Sequence, residues 1–280
     1  MVILGIDIGG STTKIVGLRD GKCLGMLQVR AADQITSMYG AIGNFLSSQN
    51  FRLEDVSTIY LTGVGASFIN EQIYRRETHK VNEFSAIGHG ALSLTGLKSA
   101  LVVSMGTGTA FVRATPGEMI HLGGSGVGGG TIIGLASQML GKSEIDAILA
   151  LADKGDLKNI DLSVRDILGK EVQTLPSDLT AANFGKIKST ASDYDIALGS
   201  INMVFETVGM LAVFALKNDQ INDVILTGTL TTFPQAETVF LKFNKLTGIN
   251  FIIPPDAVYA TALGSIIAHP SQLGTLPPIV

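Results

Sequence analysis

Short apolar runs separated by polar turns predict a β-meander at the start of the chain. Val2–Ile6, Lys14–Leu18 and Cys23–Val29 are strand-like runs, and Asp20-Gly21 supplies a turn between the last two. Helical spacing of apolar residues then predicts a helix over about 35–45, followed by a buried strand over 58–62 and a helix over about 83–94. We therefore expect the first hundred residues to combine a hairpin sheet with helices.

The same order of elements begins again near Ala100. The run Leu101–Ser104 leads into the turn Gly106-Thr107-Gly108, and two strand-like runs follow over 109–113 and 118–122. The segments Ile6–Thr12 and Val103–Thr109 both place a polar residue, glycines and hydroxyls between two strands. One echo after about a hundred residues favours duplicated halves over a solenoid, whose repeats span roughly 20 to 50 residues. The sequence thus predicts an α/β fold with two lobes around a cleft, over 1–97 and 98–280.

The rest of the second half predicts further mixed structure around one long apolar helix. We expect a glycine loop over 123–130, helices over 131–140, 192–217, 235–246 and 257–268, and strands over 223–227 and 249–253. The long apolar stretch carries Glu206 near its middle, where an acid costs about 2.5 to 3.5 kcal/mol in a lipid-spanning helix. We therefore interpret it as a buried core helix or a subunit-interface helix, and expect no membrane span.

Composition excludes several classes of function. Lysine and arginine total 20 against 24 aspartate and glutamate residues, a net charge of −4 without a basic cluster, which argues against a nucleic-acid partner. Cys23 is the only cysteine, so one chain cannot form an internal disulfide or a multi-cysteine metal centre. The first residues lack a basic leader and reach Asp7 too early for a signal-peptide core, so we expect a cytoplasmic protein.

The segment between the first two predicted strands has the composition of an anion-binding hairpin. It reads Asp7-Ile8-Gly9-Gly10-Ser11-Thr12-Thr13-Lys14. Glycine amides can approach a phosphate closely, and hydroxyl and ammonium groups add donors. The candidate nucleotide ligands are Gly9, Gly10, Ser11, Thr12 and Lys14. Asp7 would repel phosphate and is instead the candidate ligand for Mg²⁺. The alternative is an ordinary hairpin turn, which favours the same residue types.

Two further glycine segments strengthen the phosphate interpretation. Gly106 and Gly108 flank the second turn, which could grip a nucleotide from the opposite side of the cleft. The loop over 123–130 holds six glycines in eight positions and ends with Gly128, Gly129 and Gly130 before a predicted helix, whose N-terminal amides suit an anion. The alternative for this loop is a flexible surface segment. There is no Walker-type phosphate loop, and no G-x-G-x-x-G motif follows the first strand.

Taken together, these motifs resemble type II pantothenate kinases, a branch of the actin-like ATPase superfamily. The resemblance also includes Asn82–Ala86, Asp178–Gly185 and Ala262–Ser265, and it covers nearly the whole chain. It implies duplicated ribonuclease-H-like lobes, ATP and Mg²⁺ as cofactors, and a homodimer. The implied activity is phosphorylation of pantothenate, the first step toward coenzyme A.

The resemblance also assigns roles to residues that local sequence leaves open. Glu83 matches the general base, although a glutamate at a helix start can simply stabilise the helix dipole. Gly228 matches the turn near adenosine, and a plain strand-end turn would explain it equally well. The matching substrate-binding positions are Thr107, His121, Thr180 and Ala181, the last two at a subunit boundary or in a structural loop.

Two departures from the family pattern concern the acceptor. His121 stands where an arginine is usual and Ala110 where a hydroxyl is common, and a histidine offers a carboxylate one hydrogen bond where arginine offers two. The competing interpretations are a sugar or other small-alcohol kinase, a dehydratase-activator-like ATPase, and a nucleotide-binding regulator without turnover.

Overall fold

Two five-stranded sheets form the framework of the protein. The computed structural model describes residues 1–31, 33–168 and 179–269. The first sheet contains β1 (Val2–Ile8), β2 (Thr12–Arg19), β3 (Lys22–Arg30), β4 (Val56–Thr62) and β5 (Glu77–Lys80) in the order β3-β2-β1-β4-β5. The second contains β6 (Ala100–Met105), β7 (Thr109–Thr115), β8 (Glu118–Ser125), β11 (Asp223–Thr227) and β12 (Asn250–Ile252). Its order, β8-β7-β6-β11-β12, is the same, which confirms the predicted duplication.

Eight helices and a small ribbon complete the described part of the chain. The helices are α1 (Gln34–Ser48), α2 (Glu83–Thr95), α3 (Gly129–Leu140), α4 (Ile145–Ala152), α5 (Val164–Leu168), α6 (Asp193–Leu216), α7 (Pro234–Thr247) and α8 (Ala260–Ile267). The ribbon pairs β9 (Leu162–Ser163) with β10 (Thr180–Ala182) in antiparallel fashion. Asp178, in one of the family-like segments, lies outside the described residues.

Helix α1 covers one face of the first sheet. Asp33 caps the helix because its carboxylate accepts a 2.7 Å hydrogen bond from the backbone NH of Thr36. Phe45 is fully buried on this helix and its ring packs against Gly17 of β2, where an added Cβ atom would overlap the ring. Glycine at this position therefore lets the helix approach the sheet closely.

Helix α6 crosses the core of the second lobe. Phe205 is fully buried on it, with ring centroids 5.7 Å from Phe240 and 6.2 Å from Phe233. Among the described residues α6 is the one helix long and apolar enough to cross a membrane by length and composition, but over half of its most apolar window is buried. The packing supports the interpretation as a core helix.

Helices α2 and α8 each pack on the sheet of the opposite half of the sequence. Ile87 and Ala91 of α2 join Val102 and Ala114 in the second sheet. The α8 residues Ala262, Leu263 and Ile266 pack against Val16, Leu18 and Tyr60 in the first sheet. Each half of the sequence therefore contributes one helix to the other half. The predicted boundary between 1–97 and 98–280 separates the two sheets, but α2 and α8 pack across it.

The glycine loop predicted over 123–130 is shorter than expected. Gly123 and Gly124 continue β8 and pair with Phe111 and Ala110 of β7. Helix α3 begins at Gly129, so only 126–128 connect the strand to the helix. Gly123 and Gly124 are strand residues because they pair with β7, a long-range contact that the local sequence does not predict. The structure also adds the short strand β5, which the apolar pattern did not predict because it is the polar sequence Glu-Thr-His-Lys.

We expect Phe45→Ala to lower the free energy of unfolding by about 3–5 kcal/mol, because it leaves a cavity between α1 and the first sheet. Urea denaturation monitored by circular dichroism measures the change. The matched control is Ile35→Ala on the same helix, whose side chain is exposed and should cost about 0.5 kcal/mol or less. Equal losses for the two variants would contradict this packing.

Candidate active site

The turns of the two equivalent hairpins meet tip to tip. Ser11, between β1 and β2, lies with its Oγ 3.2 Å from Oγ1 of Thr107, between β6 and β7. A cavity of about 440 Å³ is lined by both turns and by the strands that lead into them. The two halves thus face each other across one hollow, as the sequence predicts.

Most of the predicted site residues line this cavity. From the first lobe they are Asp7, Gly9, Gly10, Ser11, Thr12, Lys14 and Glu83, and from the second lobe Gly106, Thr107, Gly108 and Gly228. Ala110, noted as a departure from the family pattern, lines it too. Residues separated by more than two hundred positions in the sequence therefore share one wall.

Asp7 and Lys14 form a buried ion pair at the base of the cavity. They lie opposite each other on β1 and β2, with Nζ of Lys14 3.5 Å from Oδ2 of Asp7, and both side chains are about nine-tenths buried. Burial raises the pKa of the Asp7 carboxyl above its usual value, and the Lys14 ammonium partly opposes the rise. Both residues line the cavity, so the pair faces the space that a ligand would occupy.

Glu83 approaches this pair from α2. It is the first residue of the helix, whose start is fixed by the carboxamide oxygen of Asn82, which accepts a 3.0 Å hydrogen bond from the NH of Ser85. Burial raises the pKa of Glu83, the charge of Asp7 raises it further, and Lys14 lowers it. A carboxyl with a raised pKa, in a cleft beside a second acid, is typical of a general base.

The donors at the base of the cavity fit Mg²⁺. Asp7 supplies a hard carboxylate oxygen, which this cation prefers. Thr62 lies in register with Asp7 on the neighbouring strand β4, and its buried hydroxyl oxygen has no hydrogen-bond partner among the described residues, but it does not line the cavity. A hydrated cation bound to the carboxylate of Asp7 would offset its buried negative charge.

The internal duplication includes a pair of equivalent turns, of which the sequence pattern predicts only the one at Gly228. Leu61-Thr62-Gly63 ends β4 as Leu226-Thr227-Gly228 ends β11, and each leads into a short 3₁₀ turn. Gly63 and Gly228 have φ of 86° and 88°, a left-handed conformation that side chains disfavour. Comparison of the two Leu-Thr-Gly segments could have found the first turn.

The glycines that begin α3 support the second hairpin from behind. The NH of Gly129 donates to the carbonyl of Gly106 at 2.9 Å, and that of Gly130 donates to the carbonyl of Thr107 at 2.9 Å. Gly128 packs against the backbone of Thr107 and Gly108. These three glycines do not line the cavity, whereas Gly124, Ser125 and Gly126 do. The amides of Gly129 and Gly130 are thus bonded to the turn, and the NH of Gly128 donates to Oγ1 of Thr131. The nucleotide contact of these three glycines stays a prediction.

The remaining predicted substrate residues lie outside the cavity of the single chain. His121 is exposed on β8 and its ring stacks on Phe84, with centroids 3.7 Å apart, one residue from Glu83. Thr180 donates a 2.8 Å hydrogen bond to the carboxylate of Glu206 on α6, and Ala181 is exposed beside it. His121 therefore lies near Glu83, the candidate general base. The strand β10 is instead hydrogen-bonded to α6.

A second cavity, of about 460 Å³, lies beside α7 and lacks the groups that phosphoryl transfer needs. Its wall includes Phe233, Phe240 and Phe251. Among the described residues that line it, Glu237 is the one with an ionisable side chain. The cavity between the hairpins is therefore the candidate active site.

The doubled sheet and the cleft between its hairpins define the duplicated ribonuclease-H-like fold of the actin-like ATPase class. Two solved structures share it: the activator of the 2-hydroxyisocaproyl-CoA dehydratase from Clostridium difficile with bound ADPNP, and the ROK hexokinase from Thermus thermophilus. Their TM-scores are 0.64 and 0.53 at 13% identity each, over 95% and 96% of this chain and 92% and 98% of theirs. At this identity the likeness shows the fold.

The sequence comparisons define the family within that class. The family model Fumble matches residues 64–243. A curated protein from Bacillus anthracis, named Type II pantothenate kinase, is 27% identical over 274 residues, which cover 94% of this chain and 96% of that protein. The chain belongs to the Fumble family.

The raised pKa of Glu83 predicts how stability depends on pH. Because the folded-state pKa exceeds the usual value of 4.5, folding disfavours the ionised form, and the unliganded protein loses stability as the pH rises from that value through the raised one. Glu83→Gln removes this loss, so its advantage over the wild type should grow from pH 4.5 upward and level off above the folded-state pKa. Urea denaturation from pH 4.5 to 8 measures it.

The matched control for this pH series is Glu237→Gln, an exposed glutamate in the first turn of α7. Its stability difference from the wild type should not grow with pH in the same way. A Glu83→Gln advantage that shrinks as the pH rises would contradict the direction of the shift.

Proposed function

We propose that this protein is an ATP-dependent kinase that phosphorylates pantothenate at its primary hydroxyl, the first step of coenzyme A biosynthesis. The observation that carries the proposal is the convergence of Glu83, Asp7 and Lys14 with two glycine hairpins around one cavity. The relative named Type II pantothenate kinase, similar along almost its entire length, supports the choice of acceptor.

Phosphoryl transfer asks the protein mainly to position reactants and to neutralise charge. The turns of the two hairpins hold the phosphates from both sides, and Lys14 adds a positive charge from below. Mg²⁺, when bound through Asp7, supplies further neutralisation of the phosphate oxygens. Gly228 and Thr229, which line the same cavity, contact the nucleoside in this proposal.

Glu83 removes the proton from the attacking hydroxyl. Its raised pKa makes the carboxylate a stronger base than that of an ordinary glutamate. The Asp7 carboxylate contributes to this basicity by repulsion. The same cavity therefore holds a candidate cation ligand, Asp7 on the first sheet, and a proton acceptor, Glu83 on the helix that packs on the second sheet.

His121 and the β10 segment complete the acceptor site in this proposal. His121 is fixed by its stack on Phe84, next to Glu83, and can donate one hydrogen bond to the carboxylate of pantothenate. Thr180 and Ala181 contribute from the subunit boundary. The dehydratase-activator alternative is not favoured, because Cys23 alone, exposed on β3, cannot provide the thiolates that an iron–sulfur cluster needs.

The activity is tested by incubating the purified protein with Mg-ATP and a panel of alcohols that includes pantothenate and hexoses. We expect pantothenate to be phosphorylated, and Glu83→Gln to lower kcat at least about 10²-fold while ATP binding is retained. Glu237→Gln is the control and should keep full activity. Phosphorylation of a sugar with pantothenate inert would reject the acceptor, and an unchanged kcat for Glu83→Gln would reject the base.

A homodimer through α6, in the cytoplasm, is the second part of the proposal. Met210, Leu211 and Phe214 are 37%, 36% and 63% exposed on one face of this helix, and Glu206 precedes Met210 by one turn. Because Thr180 and Asn183 both bond to Glu206, β10 lies beside this apolar face. A partner on the face would therefore contact the β10 segment.

We expect Phe214→Asp to convert the dimer into a monomer, since it places a charge at the most exposed residue of the apolar face. Light scattering after size-exclusion chromatography measures the mass. The control is Leu246→Asp on α7, where a 39% exposed leucine lies outside α6 and the dimer should persist. Retention of the dimer by Phe214→Asp would place the interface elsewhere.

A further inference from the structure

The proposed base and the proposed cation ligand are carried by different sheets. Asp7 and Lys14 lie on strands of the first sheet, whereas Glu83 begins α2, which packs on the second. The distance from Glu83 to Asp7 therefore depends on how the two halves sit against each other. The helices α2 and α8, exchanged between the halves, make the direct contact that fixes this relation.

The two helices cross with their backbones in contact. A methyl group on Gly264 of α8 would overlap the carbonyl oxygen of Ala86, and one on Gly90 of α2 would overlap that of Ala260. Each added Cβ would also lie within 3.0 Å of the backbone nitrogen of the other glycine. Because the obstacles are backbone atoms rather than flexible side chains, the helices would have to separate.

The crossing lies close to the base along α2. Ala86 follows Glu83 by three residues, so its carbonyl is about 4.5 Å further along the axis, at 1.5 Å per residue. Gly90 lies a further turn away. Because Ala86 and Glu83 belong to consecutive turns of one helix, a shift of the backbone at Ala86 would also shift Glu83.

We propose that Gly264 and Gly90 are positioning residues for the phosphoryl transfer, because the backbone contact they permit holds Glu83 at its working distance from Asp7 and the reacting hydroxyl. This inference rests on the proposed role of Glu83. The glycines act through α2 and do not themselves touch the substrates. A misplacement of the base by about 1 Å costs on the order of 10²-fold in rate, so the contact has a measurable kinetic consequence.

The test is a double-mutant cycle between Gly264→Ala and Glu83→Gln. Alone, Gly264→Ala should lower kcat at least about 10-fold and leave the dissociation constant of ATP within about threefold, since the hairpins that hold the phosphates belong to the sheets. In the Glu83→Gln background the same change should lower kcat less than about twofold, because the base it displaces is already absent.

The control is Gly40→Ala in the interior of α1, where a Cβ would meet no atom of the described residues within 4 Å. It should leave kcat unchanged and the thermal midpoint equal or higher. Equal losses from Gly264→Ala in both backgrounds would overturn the positioning role and leave the base assignment intact. No effect of Glu83→Gln alone would reject the proposed function instead.

Gly90→Ala provides the second variant, should Gly264→Ala fail to fold. Its contact is further from Glu83, so we expect a smaller fall in kcat than for Gly264→Ala, with the same lack of additivity with Glu83→Gln. If neither variant folds, the crossing is a requirement of folding and the positioning role is rejected.

Discussion

The backbone contact between α2 and α8 is the constraint on which the arrangement of the two lobes depends. Helices normally pack with their axes 8–10 Å apart because side chains separate them. Here glycine and alanine occupy the crossing, and the carbonyl oxygens of one helix face the glycines of the other. Each helix also belongs to the core of the opposite sheet, so the lobes are joined by two cores as well as by the connecting chain.

The two lobes share one scaffold but carry different chemistry. Where the first sheet pairs Asp7 with Lys14 across β1 and β2, the second pairs Ser104 with Ala110 across β6 and β7. The charges at the base of the cleft therefore come from one side, and the second lobe contributes backbone turns and small residues. A symmetric pair of buried acids would repel each other and would leave less positive charge for a triphosphate.

A site of this kind brings acidic groups close together in a cleft, which destabilises their ionised forms. Asp7 is buried and Glu83 is half-buried, and Lys14 is the cation that lowers the pKa of both. In the unliganded cleft the two carboxylates therefore repel each other. A bound cation, or a proton taken from the substrate, would reduce this repulsion. The same burial that destabilises the carboxylates makes Glu83 more basic, which links the cost in stability to the proposed activity.

The sequence alone predicted the local parts of this protein well. Strand–glycine–strand segments at Gly9 and Gly106 predict hairpins because neighbours in sequence form the turn and its ladder. The similarity between the segments around Gly9 and Gly106 predicted the repeated sheet. Comparison of Thr62-Gly63 with Thr227-Gly228 would also have predicted the turn at Gly63. Glu83 was recognised through family resemblance, since a glutamate at a helix start has an ordinary structural explanation.

Only the tertiary structure decided which elements meet. Periodicity shows that α2 and α8 have apolar faces, but it does not say which sheet each face covers, and both pack on the sheet of the other half. It likewise did not show that the amides of Gly129 and Gly130 are taken up by the hairpin at Gly106 and Thr107. Local propensity determines the elements because it depends on adjacent residues, whereas these contacts join residues far apart in the chain and exist only once both sheets have formed.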